Sequence, residues 1–147
     1  MNVLLVFGTL IGLVALATLL GVLWRARTGR VRAIAHEIVI EAVDLGAGVG
    51  LGDGATLLQF STTVCAPCRV THSLLDELAT QRVGVSHVDV DITRRGDLAS
   101  RYRVLQAPTT FILDNRGVIR ARIGGVPRSA EVTSELDRIL TTAAAIA

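Results

Sequence analysis

From Val3 to Trp24 the chain reads VLLVFGTLIGLVALATLLGVLW, 22 residues without one charged side chain. Wound as a helix at about 1.5 Å per residue, this stretch is roughly 33 Å long, against a bilayer hydrocarbon core of about 30 Å. A surface helix of a water-soluble domain keeps a polar face, and this one has none. The reading is a retained membrane anchor over residues 1–24. A cleaved signal peptide is the competing reading. Ala15-Leu16-Ala17 offers a small-x-small cleavage pattern, but no basic residue precedes the run and the run continues past the pattern.

Charge is distributed just as unevenly. All 15 basic residues are arginine, and Arg25, Arg27, Arg30 and Arg32 follow the apolar run directly. From Ala33 onward 11 arginines face 13 acids. The formal positive charge of the chain is therefore a juxtamembrane cluster that suits anionic lipid headgroups, not a nucleic-acid patch. The positive-inside bias places the flank after the anchor, and with it the rest of the chain, on the cytoplasmic side of a bacterial cell membrane crossed once. An extracytoplasmic domain is the alternative.

Residues 25–54 read as a basic juxtamembrane segment and a linker. AIAHEIVIEAVDL suits either a continued helix or a short strand, and GAGVGLGDG puts a glycine at every second position from Gly46 to Gly54. Gly50, Gly52 and Ala55 fit G-x-G-x-x-A, but the apolar TLLQF follows where a phosphate-binding turn needs a helix, so a flexible linker is the better reading. From residue 55 to 147 the pattern alternates. TLLQF reads as a buried strand and Ala66 to Gln81 as a helix with Val70, Leu74, Leu75 and Leu78 on one side. VSHVDVDI alternates as a strand, and a short helix around Asp97–Tyr102 follows. TTFIL and GVIRARI flank the turn DNRG as a hairpin. Arg128 to Thr141 carries Val132, Leu136, Ile139 and Leu140 at helical spacing after Pro127 and a candidate Ser129 cap. The expected order is β-α-β-α-β-β-α, an α/β domain of about 90 residues, large enough to bury a modest core.

The only two cysteines, Cys65 and Cys68, stand in CAPC between the first strand and first helix of this domain. A thiol becomes nucleophilic as thiolate, and a helix start favours that form because its first N–H groups lack intrahelical partners and carry partial positive charge. With Cys65 as N-cap, its sulfur can accept from the Cys68 N–H. Pro67 in the first turn removes no intrahelical bond. Cys65 can then attack a partner disulfide and Cys68, one turn further in, resolve the mixed disulfide. A structural zinc site wants four ligands, and only His36, His72 and His87 join the cysteines as soft ligands. Inert packing thiols are the other rival. A redox pair fits the strand–C-x-x-C–helix context best, with no metal and no cofactor expected.

TLLQF, CAPC, LLDELA, HVDVD, RYRVLQAPTTFILDNRG and IGG occur in this order over residues 56–147. In these pieces the chain resembles the thioredoxin-like superfamily, and a membrane-anchored bacterial form in particular. The resemblance implies a central mixed sheet flanked by helices, preceded here by the one transmembrane helix. It implies Cys65 as attacking and Cys68 as resolving thiol, and a cis peptide at Ala107-Pro108. The loop Ala107, Pro108 and Thr109 is then expected to bind an extended substrate segment through its backbone, as a strand adds to a sheet edge. Implied partners are disulfide-containing proteins and a dithiol reductase or membrane electron donor.

Four positions depart from the family pattern. Val64 stands where tryptophan is usual before the first cysteine. Gln59 replaces a buried acid, His87 a lysine that commonly pairs with it, and Ser73 a helix-kinking proline. The paired exchange to Gln59 and His87 raises the reading that His87 relays the Cys68 proton, since imidazole titrates near neutrality; packing under the helix is its rival. His36 and His72 are expected on exposed or linker surface, and Arg69 in solvent beside the cysteines. The function expected is a membrane-anchored thiol–disulfide oxidoreductase. The alternative is a non-catalytic docking module using the Pro108 loop to hold an integral membrane partner.

Overall fold

A computed structural model describes residues 3–34, 38–46 and 50–146 of the 147. Helix α1 (Val3–Arg27) is the long apolar stretch. From Leu5 to Trp24 none of it is buried, and by length and composition it is sufficient to cross a membrane. The chain then lays down strand β1 (Arg32–Ala33) and a single helical turn α2 (Ala42–Leu45). The alternating part follows as β2 (Ala55–Ser61), α3 (Ala66–Thr80), β3 (Val85–Asp91), α4 (Gly96–Arg101), β4 (Thr109–Asp114), β5 (Ile119–Gly124) and α5 (Ser129–Ile146).

Among the described residues, five strands form one mixed sheet in the order β1-β5-β4-β2-β3. Only β2 and β3 run parallel, joined by the α3 crossover; the other neighbours are antiparallel. Period-two alternation gives the sheet two apolar faces. Ala55, Leu57, Ile112, Ala121 and Ile123 face α3 and α5, which bury Leu75, Leu78, Val132, Leu136 and Ile139 against them. Leu58, Phe60, Val90, Phe111 and Leu113 face the other way and are covered by Leu98 of α4, Tyr102 just past its end, Ile40 and Leu45. The expected α/β architecture with a central mixed sheet is the one found.

Two details differ from the sequence reading. The buried stripe of α3 runs through Cys68, Thr71, Leu75, Leu78 and Ala79, while Val70 is 58% exposed. A helix starting at Ala66 with Cys68 turned inward carries i+3 and i+7 positions into the core, and Val70 falls between them. The stretch read as basic segment and linker also does more than span a distance. β1 extends the sheet by pairing Arg32 with Arg122 and Ala33 with Ala121, and Ile40 is buried beside the hairpin turn. Asp44 accepts from Tyr102 Oη and from Arg101 Nη1, each at 2.7 Å. Burial, and then the hydrogen bond to Asp44, push the Tyr102 hydroxyl up to about 12. Gly52 packs so closely that a Cβ there would strike the carbonyl oxygen of Ala55 and lie 2.8 Å from that of Gly84. His36 and Gly48 lie outside the described residues.

Candidate active site

One end of the sheet gathers the expected site. Phe60, Thr109 and Gly124 stand in a single row across β2, β4 and β5. The loop carrying Cys65 leaves β2 just past this row, and the Pro108 loop arrives at β4 just before it. Thr63 anchors the first loop, donating its N–H to Thr93 Oγ1 at 3.0 Å, while Thr93 donates its own N–H to Asp91 Oδ1 at 2.8 Å. Thr93 donates its hydroxyl to the same Asp91 oxygen, and these two bonds to Asp91, hydroxyl first, hold its carboxyl below the ordinary range. In the second loop Ala107-Pro108 is a cis peptide. The Pro108 carbonyl accepts from Gly125 N–H at 2.8 Å, and Thr109 Oγ1 donates to the Gln106 carbonyl at 2.7 Å.

Cys65 is the N-cap of α3. Its backbone is extended (φ −143°, ψ 95°), its sulfur accepts from the Cys68 N–H at 3.2 Å, and Pro67 lies in the first turn. The two sulfurs are joined as a disulfide, with Cα atoms 5.2 Å apart. Cys65 is half-buried and Cys68 only 4% exposed. An open cavity of about 660 Å³ adjoins them, bordered by Val64, Arg69, His72 and Asp89 as well as both cysteines. Val64 projects into solvent, 96% exposed.

Beneath α3 the two residues singled out as a proton relay occupy different places. Gln59 is fully buried and its amide Nε2 donates to the Cys68 carbonyl at 3.0 Å, tying the first turn of α3 to β2. The His87 side chain is 3% exposed, with Nδ1 3.7 Å from Asp76 Oδ1. Burial pushes its imidazole down, the neighbouring His72 adds to this, and Asp89 and Asp76 only partly oppose them. Among the described residues, Gln59 Oε1, His87 Nε2, Thr71 Oγ1 and Thr110 Oγ1 are buried without a hydrogen-bond partner. All four lie on α3 or on the sheet face beneath it.

His72, expected on the surface, is indeed 52% exposed, but it faces the cavity. Its Nδ1 is 3.3 Å from Asp89 Oδ2, and its ring centroid is 4.8 Å from that of His87. Cys68, His72 and Asp76 follow one another at steps of four on α3, while His87 and Asp89 alternate on β3. Those spacings are visible in the sequence. Their meeting depends on how α3 crosses β3, which is not.

Fold and site together describe a dithiol–disulfide pair at a helix start, with a cis-prolyl loop at the same end of a mixed sheet: a thiol–disulfide oxidoreductase. The thioredoxin family model matches residues 47–138, and the chain belongs to the thioredoxin family. Thioredoxin from Bacillus subtilis is 27% identical over 94 residues, 63% of this chain and 89% of that protein. Thioredoxin C-2 from Corynebacterium nephridii is 32% identical over 74 residues, 50% and 68% of the two chains. In fold, a mutant thioredoxin from Halobacterium salinarum superposes with a TM-score of 0.54 at 19% identity, covering 60% of this chain and 76% of the other.

Proposed function

We propose that this chain is a membrane-anchored oxidoreductase acting on protein disulfides through Cys65 and Cys68. The observation that carries the reading is the half-buried Cys65 sulfur at the N-terminus of α3, bridged to the buried Cys68 and bordering an open cavity. In the reduced form, the thiolate of Cys65 attacks one sulfur of a substrate disulfide, and the other substrate sulfur leaves and takes up a proton. The Cys68 thiol then gives up its proton and attacks Cys65. This expels the second substrate thiol and leaves the 65–68 disulfide. Two electrons pass to the substrate, and a dithiol reductase or membrane electron donor returns them. Residues Ala107, Pro108 and Thr109 would hold the substrate segment by main-chain pairing at the cysteine end of the sheet.

For the Cys68 proton we propose an imidazole route. His72 borders the cavity with the sulfurs, is oriented by Asp89, and contacts His87 behind it. Burial, and then the neighbouring His72, disfavour a charge on His87, so the ring bordering the cavity is the one placed to take the proton that Cys68 gives up. Gln59 then acts by position, holding the Cys68 carbonyl. Helix α1 supplies the anchor, and the arginines after it favour a cytoplasmic domain.

Insulin-disulfide reduction by the purified chain tests the enzyme reading. Cys65→Ser should be inactive, and Cys68→Ser should accumulate a mixed disulfide with insulin chains. Activity equal to background in the unaltered chain would leave only the docking-module reading. For the proton route, His72→Ala and His87→Ala should move the pH profile of the rate, and unchanged profiles in both would end it. Labelling of pre-reduced Cys65 by an impermeant thiol reagent in intact cells would place the domain outside.

A further inference from the structure

We infer that the rim around the Cys65–Cys68 pair docks the interfacial segment of an integral membrane protein, a cysteine-bearing loop lying at the bilayer surface. The inference rests on the two readings just proposed, α1 as a membrane span and the cysteines as a redox centre. What it adds is direction: the dithiol points toward the membrane.

Direction follows from topology. β5 runs toward the row Phe60–Thr109–Gly124, and β1 is antiparallel to β5, so β1 runs away from that row. The chain coming out of α1 therefore reaches the domain first at the end that bears the cysteines. Gly29 N–H donates to the Gly124 carbonyl at 2.9 Å, placing it as the next member of the same row. At about 4.8 Å per strand, Gly29, two residues past the end of α1, is roughly 15 Å from Phe60 across the sheet. Only four residues separate Trp24 from Gly29, about 7 Å of helical rise.

The junction is also built, not slack. Thr28 N–H and Oγ1 both bond the Trp24 carbonyl, at 3.1 and 3.0 Å, so the helix runs on to the contact. Gly29 and Gly125 both have φ in the left-handed region, +78° and +84°. A Cβ on Gly29 would strike the Val126 carbonyl oxygen, and one on Gly125 would lie 2.6 Å from the Thr28 methyl. Val31 N–H adds a bond to Glu131 Oε2 at 2.8 Å. Gly125 in turn bonds the Pro108 carbonyl. The end of the anchor is thus seated one residue from the loop expected to bind substrate.

On that face Val64, Leu105 and Val126 are 96%, 91% and 37% exposed. Exposed valines occur elsewhere too, at Val43 and Val83, so it is location and not exposure that selects this rim. An apolar rim within some 10–20 Å of the headgroups suits a loop that leaves the bilayer and carries a disulfide within its first few residues. It does not suit a bulky soluble protein, which the membrane would crowd.

The test uses the full chain in phospholipid vesicles, reduced beforehand. The probes are single-span peptides whose cysteine, held as a mixed disulfide with glutathione, lies either about 3 or about 20 residues beyond the apolar span. Cys65 attacks the peptide sulfur and releases glutathione, and Cys68 then releases the peptide thiol. The near probe should be reduced at least about tenfold faster, because a sulfur on the longer tail is spread over a much larger volume and its effective concentration at the dithiol falls. A Gly/Ser insert of about 20 residues between Arg27 and Thr28, with an r.m.s. reach of roughly 25 Å, should erase the preference and leave insulin reduction unchanged. Equal rates on the two probes with the unaltered chain overturn the inference. Alkaline extraction of the chain from vesicles, or loss of insulin reduction, overturns it together with the reading beneath, and each identifies which one failed.

Discussion

The two ends of the central sheet treat polar groups in opposite ways. At the end where Ala55 pairs with Asp114, a buried carboxylate finds its partners within the fold. Asp114 is 7% exposed, and its carboxylate accepts from Arg116 N–H at 2.9 Å, Val118 N–H at 3.0 Å and Arg120 Nε at 2.8 Å. Burial alone pushes this carboxyl up, but Arg120 and the two amides outweigh it and hold it below the ordinary range. At the cysteine end, sulfur borders an open cavity, and orphan polar atoms line the α3 side behind it. A buried polar group without a partner costs about 1–3 kcal/mol. A fold that satisfies one end and leaves the other open marks the second as the place where chemistry, not stability, set the residues.

Substitutions at the two ends should therefore separate activity from stability, and the largest effect is Cys65→Ser. It removes the attacking sulfur and should reduce insulin reduction to background, with the circular dichroism of the folded chain retained. Asp114→Asn should do the reverse. Losing the charge-assisted bonds from Arg120 and the two amides should cost about 2–3 kcal/mol, measured by urea unfolding, with the exchange rate of the folded protein unchanged. Slower exchange in the Asp114 variant would erase the contrast between the ends. Gln59→Leu is smaller still. It loses one hydrogen bond to the Cys68 carbonyl but also removes the orphan Oε1, and these effects oppose each other, so the net change should stay within about 1 kcal/mol.

The closed end and the helical scaffold were largely legible in the sequence. DNRG between alternating apolar runs defines a hairpin, and Val132, Leu136 and Ile139 show their helical period without any need of a partner. The cysteine pair was legible for the same reason, because capping geometry is local: three residues settle it. His72 was not, since its pairing with Asp89 joins a helix to a strand 17 residues away. The role of Arg32 and Ala33 was hidden as well. A two-residue strand has no period to read, and its partner on β5 follows nearly 90 residues later.

The smallest effect expected belongs to His87, and its sign is fixed by burial. The folded imidazole titrates below its ordinary value of 6.5, chiefly because burial disfavours the charged form. Between that lowered value and 6.5 the unfolded chain binds more protons at this site than the folded one. Stability therefore rises with pH across this window, is fully present above about 6.5, and falls away as the solution is acidified through it. His87→Leu should flatten the slope of unfolding free energy against pH between about 5 and 7, measured by urea titration, while Asp114→Asn keeps the slope and lowers the whole curve. An unchanged slope in the leucine variant would mean that His87 binds protons equally in the folded and the unfolded chain, with Asp76 and Asp89 cancelling the effect of burial. The open end would then balance its buried imidazole much as the other end balances Asp114, and the contrast between the two would narrow.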